Sequence, residues 1–378
     1  VEAWKRFRLL LVLAAVVAAL GTEAAAAGFV LGPISPDPRA GELTAQGNRE
    51  VLWTEERLKS AKPMDLLRLP GRPVTEPALE GRTLRSQSSG ERPQVLYSPG
   101  SQGRAAVPLE IGVPGDPGQD GSPPAGRPPW QCPASYYNQG LAAFTWDWPE
   151  RTVGKLYFTT EDGTAVCSAS VVGKDLIMTA GHCVATNGVW HTDFVFIPGF
   201  DTNWEPYGRW YGKQPATFSE WLESSSPLKD VAFITVHSGV CDQPFGAASV
   251  GEVVGYLGFM ANVEPTTVTW ENGAVWKQYG YPAASPYDGD KLIIVASGFG
   301  HKDYPERPDE CCFTIGVGSD MTGGSSGGPW LFPSGPTVYT VNGLISYGYS
   351  SCDETVYGPY FDTEVWELFQ FMAAHQDE

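Results

Sequence analysis

The sequence predicts an all-β protein with one helix near its C-terminal end, preceded by a largely disordered N-terminal segment. Three observations lead there. From about residue 131 onward, short apolar runs recur at even spacing and are punctuated by Gly, Pro, Asn and Asp, the pattern of many short strands joined by turns. The 378 residues include 44 Gly and 32 Pro, which suit turns and strand ends and would break most long helices. Only residues 363–375 sustain a helical repeat there, with Val365, Trp366, Leu368, Phe369 and Met372 on one side.

Taken in order, the chain opens with Lys5, Arg6 and Arg8 ahead of an apolar run from Leu9 to Leu20, then small residues through Ala27. A basic start, a short apolar centre and an A-x-A type site make residues 1–27 a signal peptide, and the run is short for a membrane span. A secreted protein is therefore expected. Residues 28–130 read as a pro-segment and Pro/Gly-rich linker. Stretches such as Val113–Gly118 cannot bury enough surface to offset their ordering entropy. One piece differs: Thr54 can cap a short helix, with Glu55 and Glu56 in its first turn and Pro63 beyond its end. The strands expected after residue 131 are Gly154–Thr159, Ala165–Val172, Asp193–Ile197, Val231–Val236, Val253–Leu257, Lys291–Ala296, Cys312–Val317, Trp330–Phe332 and Val338–Ile345.

Charge and cysteines narrow the function. A net charge of −18 argues against nucleic acid and anionic membranes as partners, since both reward a basic face. The 13 Trp and 16 Tyr supply bulk for a sizeable core. Seven cysteines without a C-x-x-C pair give no support to a zinc or thioredoxin reading; in an exported chain they suit up to three disulfides. No metal constellation and no nucleotide loop occurs in the sequence, so neither a metal nor a cofactor is expected.

The chemistry is carried by Gly323–Pro329, G-G-S-S-G-G-P. Glycines let backbone N–H groups converge on one point, and a carbonyl oxygen becoming negative needs such donors. Ser326 is the candidate nucleophile, and the N–H groups of Gly324 and Ser326 are the candidate oxyanion hole. A Gly/Ser-rich hairpin turn has the same composition, so the motif needs company. It has it in Thr179–Cys183, T-A-G-H-C, after an apolar run, and in Asp230–Val236, an acid at the mouth of a strand. A charge placed directly before a buried strand is costly unless paired. A Ser–His–Asp relay needs one member of each type, brought together by the fold.

T-A-G-H-C, D-V-A-F-I and G-S-S-G-G-P, in that order, resemble the chymotrypsin/trypsin-like serine protease superfamily, in its bacterial secreted trypsin-like or glutamyl-endopeptidase-like branch. The resemblance covers residues 131–378. It implies two six-stranded antiparallel β-barrels with a C-terminal helix and an active site in the cleft between them. His182 and Asp230 would lie on the first barrel and Ser326 on the second. It also implies a Cys167–Cys183 bridge, which would pin the histidine loop. The activity implied is a serine endopeptidase working through an acyl-enzyme. It would act as a monomer on protein or peptide substrates, with no membrane association once the signal is removed. A protease-like binding module without turnover is the alternative from another class.

Many animal relatives place an Asp where this chain has Ser325, so activation through a buried N-terminal salt bridge is not expected. Zymogen control would have to come from the N-terminal segment blocking the cleft. Asp320 stands at the offset where trypsin-like enzymes place the acid of the specificity pocket, which would favour Arg or Lys. A loop acid hydrogen-bonded to nearby backbone fits the same position. Glutamyl endopeptidases can carry Asp here too, but they use a histidine at the place of Ile345. The resemblance makes Gly343–Gly348 the pocket wall and Ser346 and Gly348 substrate-binding residues. A Glu/Asp preference stays as an alternative. Cys352 follows the wall, with Cys311 or Cys312 as possible partner, and Cys132 with Cys241 is a further pairing.

Overall fold

The computed structural model describes residues 28–37, 53–70, 73, 94–96, 140–238, 248–263, 276–297, 300–305, 312–333 and 339–376. The expected signal peptide, the linker from Ser98 to Pro129, and Cys132, Cys241 and Cys311 lie outside these residues.

The first half of the catalytic region is a closed six-stranded barrel. Its strands are Val153–Thr160, Gly163–Val171, Leu176–Thr179, Thr192–Pro198, Trp210–Phe218 and Ala232–Val236. Closure comes from Trp210–Phe218, which pairs antiparallel with both Thr192–Pro198 and Ala232–Val236. The first two strands form a hairpin in register from Val153↔Ser170 to Thr160↔Gly163, turned by Gly163 at φ 124°. Leu156, Phe158, Val195, Ile197, Phe233 and Ile234 are fully or almost fully buried in its core. Trp210–Phe218 is not among the sequence expectations: Lys213, Gln214 and Pro215 interrupt its apolar run, and the partners on both sides decide it.

The second half does not close. Its strands divide into two sheets. One holds Gly258–Ala261, Tyr339–Leu344, Pro329–Pro333, Trp276–Gly280 and Ile293–Ser297, edged by Gln94–Leu96 and Leu141–Ala142. The other holds His301–Asp303, Thr314–Gly318, Cys352–Pro359, Tyr347–Tyr349 and Leu67–Leu69. The expected second six-stranded barrel is thus corrected to two open sheets. One seam has a local cause. Between Leu344 and Tyr347 the backbone of Ile345 bonds the turn that carries Ser326, accepting from Gly327 N at 2.7 Å and donating to Gly328 O at 2.9 Å. Those groups are unavailable to a ladder.

Val253–Leu257, expected as a strand, is corrected to the helix Val250–Val254. Ser249 and Glu252 close a capping box at its start, and Gly255, at φ 81°, ends it. The strand begins only at Gly258. The C-terminal helix is present as Thr363–Ala374, capped by Asp362, with Val365, Leu368, Phe369 and Met372 buried. Phe369 stacks on Phe259 at 4.2 Å.

Several described pieces of the N-terminal segment are built into the fold. Phe29–Leu31 pairs antiparallel with Ala216–Phe218 of the barrel. The Thr54-capped helix forms at Glu55–Ser60. Trp53 before it is fully buried and donates Nε1 to Asp193 O at 2.7 Å. The helix follows from its cap and first-turn acids, whereas the strand Phe29–Leu31 relies on a surface supplied by distant residues. No described helix is long and apolar enough to cross a membrane.

Candidate active site

His182 sits in a single 3₁₀ turn, Gly181–Cys183, directly after the barrel strand Leu176–Thr179. The turn is held from both sides. Cys183 is bonded to Cys167 on the neighbouring strand, and the sequence-expected bridge is therefore present. Asp230 follows another 3₁₀ turn, Pro227–Lys229, at the start of the last barrel strand. Its carboxylate faces the histidine turn. Oδ1 accepts from His182 N at 2.7 Å, and Oδ2 lies 2.8 Å from His182 Nδ1. Both residues are buried. An ionised carboxylate can only accept, so Nδ1 is the donor of this pair, and in the neutral ring Nε2 is the nitrogen that accepts. Gly181 permits the approach: a Cβ there would stand 2.9 Å from Asp230 Oδ1 and 3.0 Å from the Trp221 ring.

Asp230 is supported further by Ser346, whose hydroxyl donates to Oδ2. The hydroxyl of Ser346, expected from the resemblance among the substrate-binding residues, thus backs the acid: a buried carboxylate needs donors for its remaining lone pairs. Lys229, beside Asp230, is almost buried. Its ammonium bonds Asp362 Oδ2 at 3.1 Å and the carboxylate of Glu364, so the turn carrying Asp230 is moored to the C-terminal helix.

Ser326 comes from the other half, on the turn ahead of strand Pro329–Pro333. The turn needs its glycines. Gly324 and Gly327 have φ of 92° and 80°, and a Cβ on Gly327 would lie 2.1 Å from Thr179 Oγ1. Ser168, in the middle of a barrel strand, straps the turn to the first half. Its N–H donates to Ser326 O at 2.8 Å, and its hydroxyl donates to Gly324 O and accepts from Tyr281 N, both at 2.9 Å. Cys183 Sγ lies 3.8 Å from Ser326 O, so the turn of His182 and the turn of Ser326 touch. Ser326 Oγ and His182 Nε2 are both buried, and neither makes a hydrogen bond. Ser168 was invisible as a site residue. The one signal was its place next to Cys167, on the strand that the bridge fixes to the histidine turn.

Asp320 accepts from Gly140 N at 3.2 Å and from Tyr287 Oη at 2.7 Å. The loop-acid reading left open for it describes this environment. Gly348 lies in the strand Tyr347–Tyr349, between Cys352–Pro359 and the edge strand Leu67–Leu69, in register with Arg68. The one cluster of potential metal ligands among the described residues is Cys167, His182 and Cys183. Its two sulfurs are bonded to each other, so no thiolate is offered to an ion. Cys352 is disulfide-bonded as well, and Cys312, one of the partners left open for it, keeps its thiol.

His191, one of the histidines without a motif, is buried and stacked on Phe158 at 4.9 Å. Burial pushes its pKa down to about 4, so it is a neutral packing residue.

Among solved structures, the chain is similar to the protease Anisep from Arthrobacter nicotinovorans, with 31% identity over 62% of this chain and 99% of that one, at a TM-score of 0.52. It is likewise similar to AL20, a thermostable serine protease from an extremophilic microorganism. The identity there is 30% over 59% of this chain and 97% of that one, at a TM-score of 0.51. Comparison with curated proteins gives no match. The family model described as Trypsin matches residues 145–372. That match spans more than half of the sequence and takes in His182, Asp230 and Ser326, and on it the chain belongs to the trypsin family.

Proposed function

We propose that this protein is a secreted serine endopeptidase in which Ser326, His182 and Asp230 act as nucleophile, general base and orienting acid. The observation that carries the reading is the buried His182–Asp230 pair, which leaves Nε2 as the only basic nitrogen of the ring next to the serine turn. Nε2 would take the Ser326 hydroxyl proton as Oγ adds to the scissile carbonyl, then deliver it to the leaving amine as the acyl-enzyme forms. Water would repeat the sequence to release the acid. The N–H groups of Gly324 and Ser326 would hold the oxyanion, at positions fixed in advance by Ser168. Membership of a protease family with peptide substrates, and the basic-apolar-small pattern of residues 1–27, support export and a protein or peptide substrate.

An Arg or Lys preference would run through Asp320. Its carboxylate is already engaged by Gly140 and Tyr287, which weakens that reading relative to an uncharged pocket. A binding module without turnover would keep the same fold, but all three members of the relay are intact here. A fluorophosphonate probe separates the two. Labelling that vanishes in Ser326→Ala supports the enzyme; no labelling of protein freed of residues 28–130 favours the module.

A further inference from the structure

The substrate cleft is already filled, by the chain's own residues 62–69. Lys62–Pro63 pairs parallel with Ala165–Val166 of the first barrel, and Met64 N donates to Val166 O at 2.9 Å. The chain then crosses the nucleophile turn. Gly324 N, one of the two proposed oxyanion donors, donates to Met64 O at 2.8 Å. The crossing is close: a Cβ on Gly323 would stand 2.9 Å from Asp65 Oδ1 and 3.2 Å from Met64 O. Leu67–Leu69 next adds a parallel strand to Tyr347–Tyr349, the wall that contains Gly348, and Arg68 reaches Asp353 at 3.7 Å. Leu66, between these two attachments, must enter the space between the glycine turn and that wall. It is 4% exposed and belongs to the apolar cluster of Met321, Ile345 and Val356.

We infer that Met64–Leu69 is a built-in inhibitor of the active site, laid in a register that cannot be cleaved, with Leu66 as its pocket residue. The inference rests on the serine-endopeptidase reading above. The register follows from the contacts. A residue being attacked must offer its carbonyl to the oxyanion donors and its own side chain to the adjoining pocket. Here the carbonyl belongs to Met64 and the pocket side chain to Leu66, so no single residue presents both. The segment therefore occupies the donors, the pocket and the edge strand as a plug. It also accounts for Ser326 Oγ and His182 Nε2 being buried without a hydrogen bond.

The plug is anchored away from the chemistry. Trp53 is fully buried, Arg57 lies 4.1 Å over its ring, and Arg57 Nη2 bonds Asp193 Oδ2 at 3.1 Å. Arg209 Nη1 donates to Trp53 O at 2.6 Å. Such aromatic and Arg anchors dominate docked interfaces, and a tethered segment competes with free substrate at high effective concentration. Leu66 also defines the pocket chemically: a space that buries leucine within the apolar cluster of this half suits an apolar residue before the scissile bond.

The test uses the full chain, wild type against Leu66→Asp and Trp53→Ala, with the labelling rate of a fluorophosphonate as readout. Both variants should label about tenfold faster or more, because each shifts the population toward an open cleft. A synthetic peptide of residues 53–70, added to full-length Trp53→Ala, should slow its labelling, and the peptide carrying Leu66→Asp should not. Wild-type labelling as fast as both variants, with an inert peptide, overturns the inhibitor while leaving the enzyme reading intact. If neither the wild type nor either variant labels, the enzyme reading itself has failed.

Discussion

Replacing Ser168 with alanine tests how the first barrel governs the oxyanion donors. The hydroxyl makes two hydrogen bonds at 2.9 Å, giving to Gly324 O and accepting from Tyr281 N, in a place with no solvent exposure. Alanine leaves the Tyr281 N–H without an acceptor. An orphaned buried donor costs ~1–3 kcal/mol, and the lost bond to Gly324 O adds roughly 1 kcal/mol, so a total of about 2–4 kcal/mol of stability is at stake. The catalytic effect is separate. Removing an oxyanion donor outright costs about 10²–10³ in kcat. Here the Gly324 donor stays but loses its brace, so a fall of roughly tenfold in kcat is expected, with KM nearly unchanged because the donor acts mainly in the transition state. Urea unfolding measures the first effect. Steady-state kinetics on a fluorogenic peptide, using protein freed of the N-terminal segment, measures the second. A kcat within about twofold of the parent, or a loss confined to KM, would refute the bracing role of Ser168.

Three further outcomes are expected. Cys167→Ser with Cys183→Ser should lower stability by about 3 kcal/mol, the chain-entropy value for a loop closed across a sequence separation of 16. Added reductant should then shift its unfolding midpoint less than it shifts that of the parent, because the Cys352 bridge is still reducible in both. His191 sits near pKa 4 when folded against an ordinary value of 6.5, so the unfolded chain binds the proton more readily between those values. Its contribution is present in full above about pH 6.5 and is lost as the pH falls toward 4, up to ~3 kcal/mol; urea titrations at pH 8 and 4.5 should show a smaller loss in His191→Phe, which keeps the stack on Phe158. Gly327→Ala would force a Cβ to 2.4 Å from Ser168 O at a φ of 80°, and should abolish fluorophosphonate labelling or prevent soluble expression.

Much of the site could be read from the sequence because its members sit in local signatures. T-A-G-H-C announces a strand end, a turn and a bridge within a few residues, and Gly323–Pro329 announces a turn whose glycines have one physical use. What stayed hidden depends on partners far along the chain. Ser346 lies 116 residues from the carboxylate it serves, and Ser168 lies 156 from Gly324. No periodicity encodes either contact. Val253–Leu257 shows a different failure. Its Val-rich composition suggests a strand, while Ser249 and Glu252 spell a capping box that settles the helix. The pairing of residues 62–69 stayed hidden for the same reason as Ser346, although the capped helix just before them was legible: the surfaces that order them belong to distant strands.

The mooring of Lys229 has a bearing on the order of synthesis. A ribosome delivers the imidazole, the carboxylate and the hydroxyl well before it delivers Asp362 and Glu364. Until those two acids emerge, the turn that carries Asp230 lacks both of these anchors. The last helix to be made thus completes the seating of a carboxylate encoded far upstream, so the far end of the molecule takes part in building its centre.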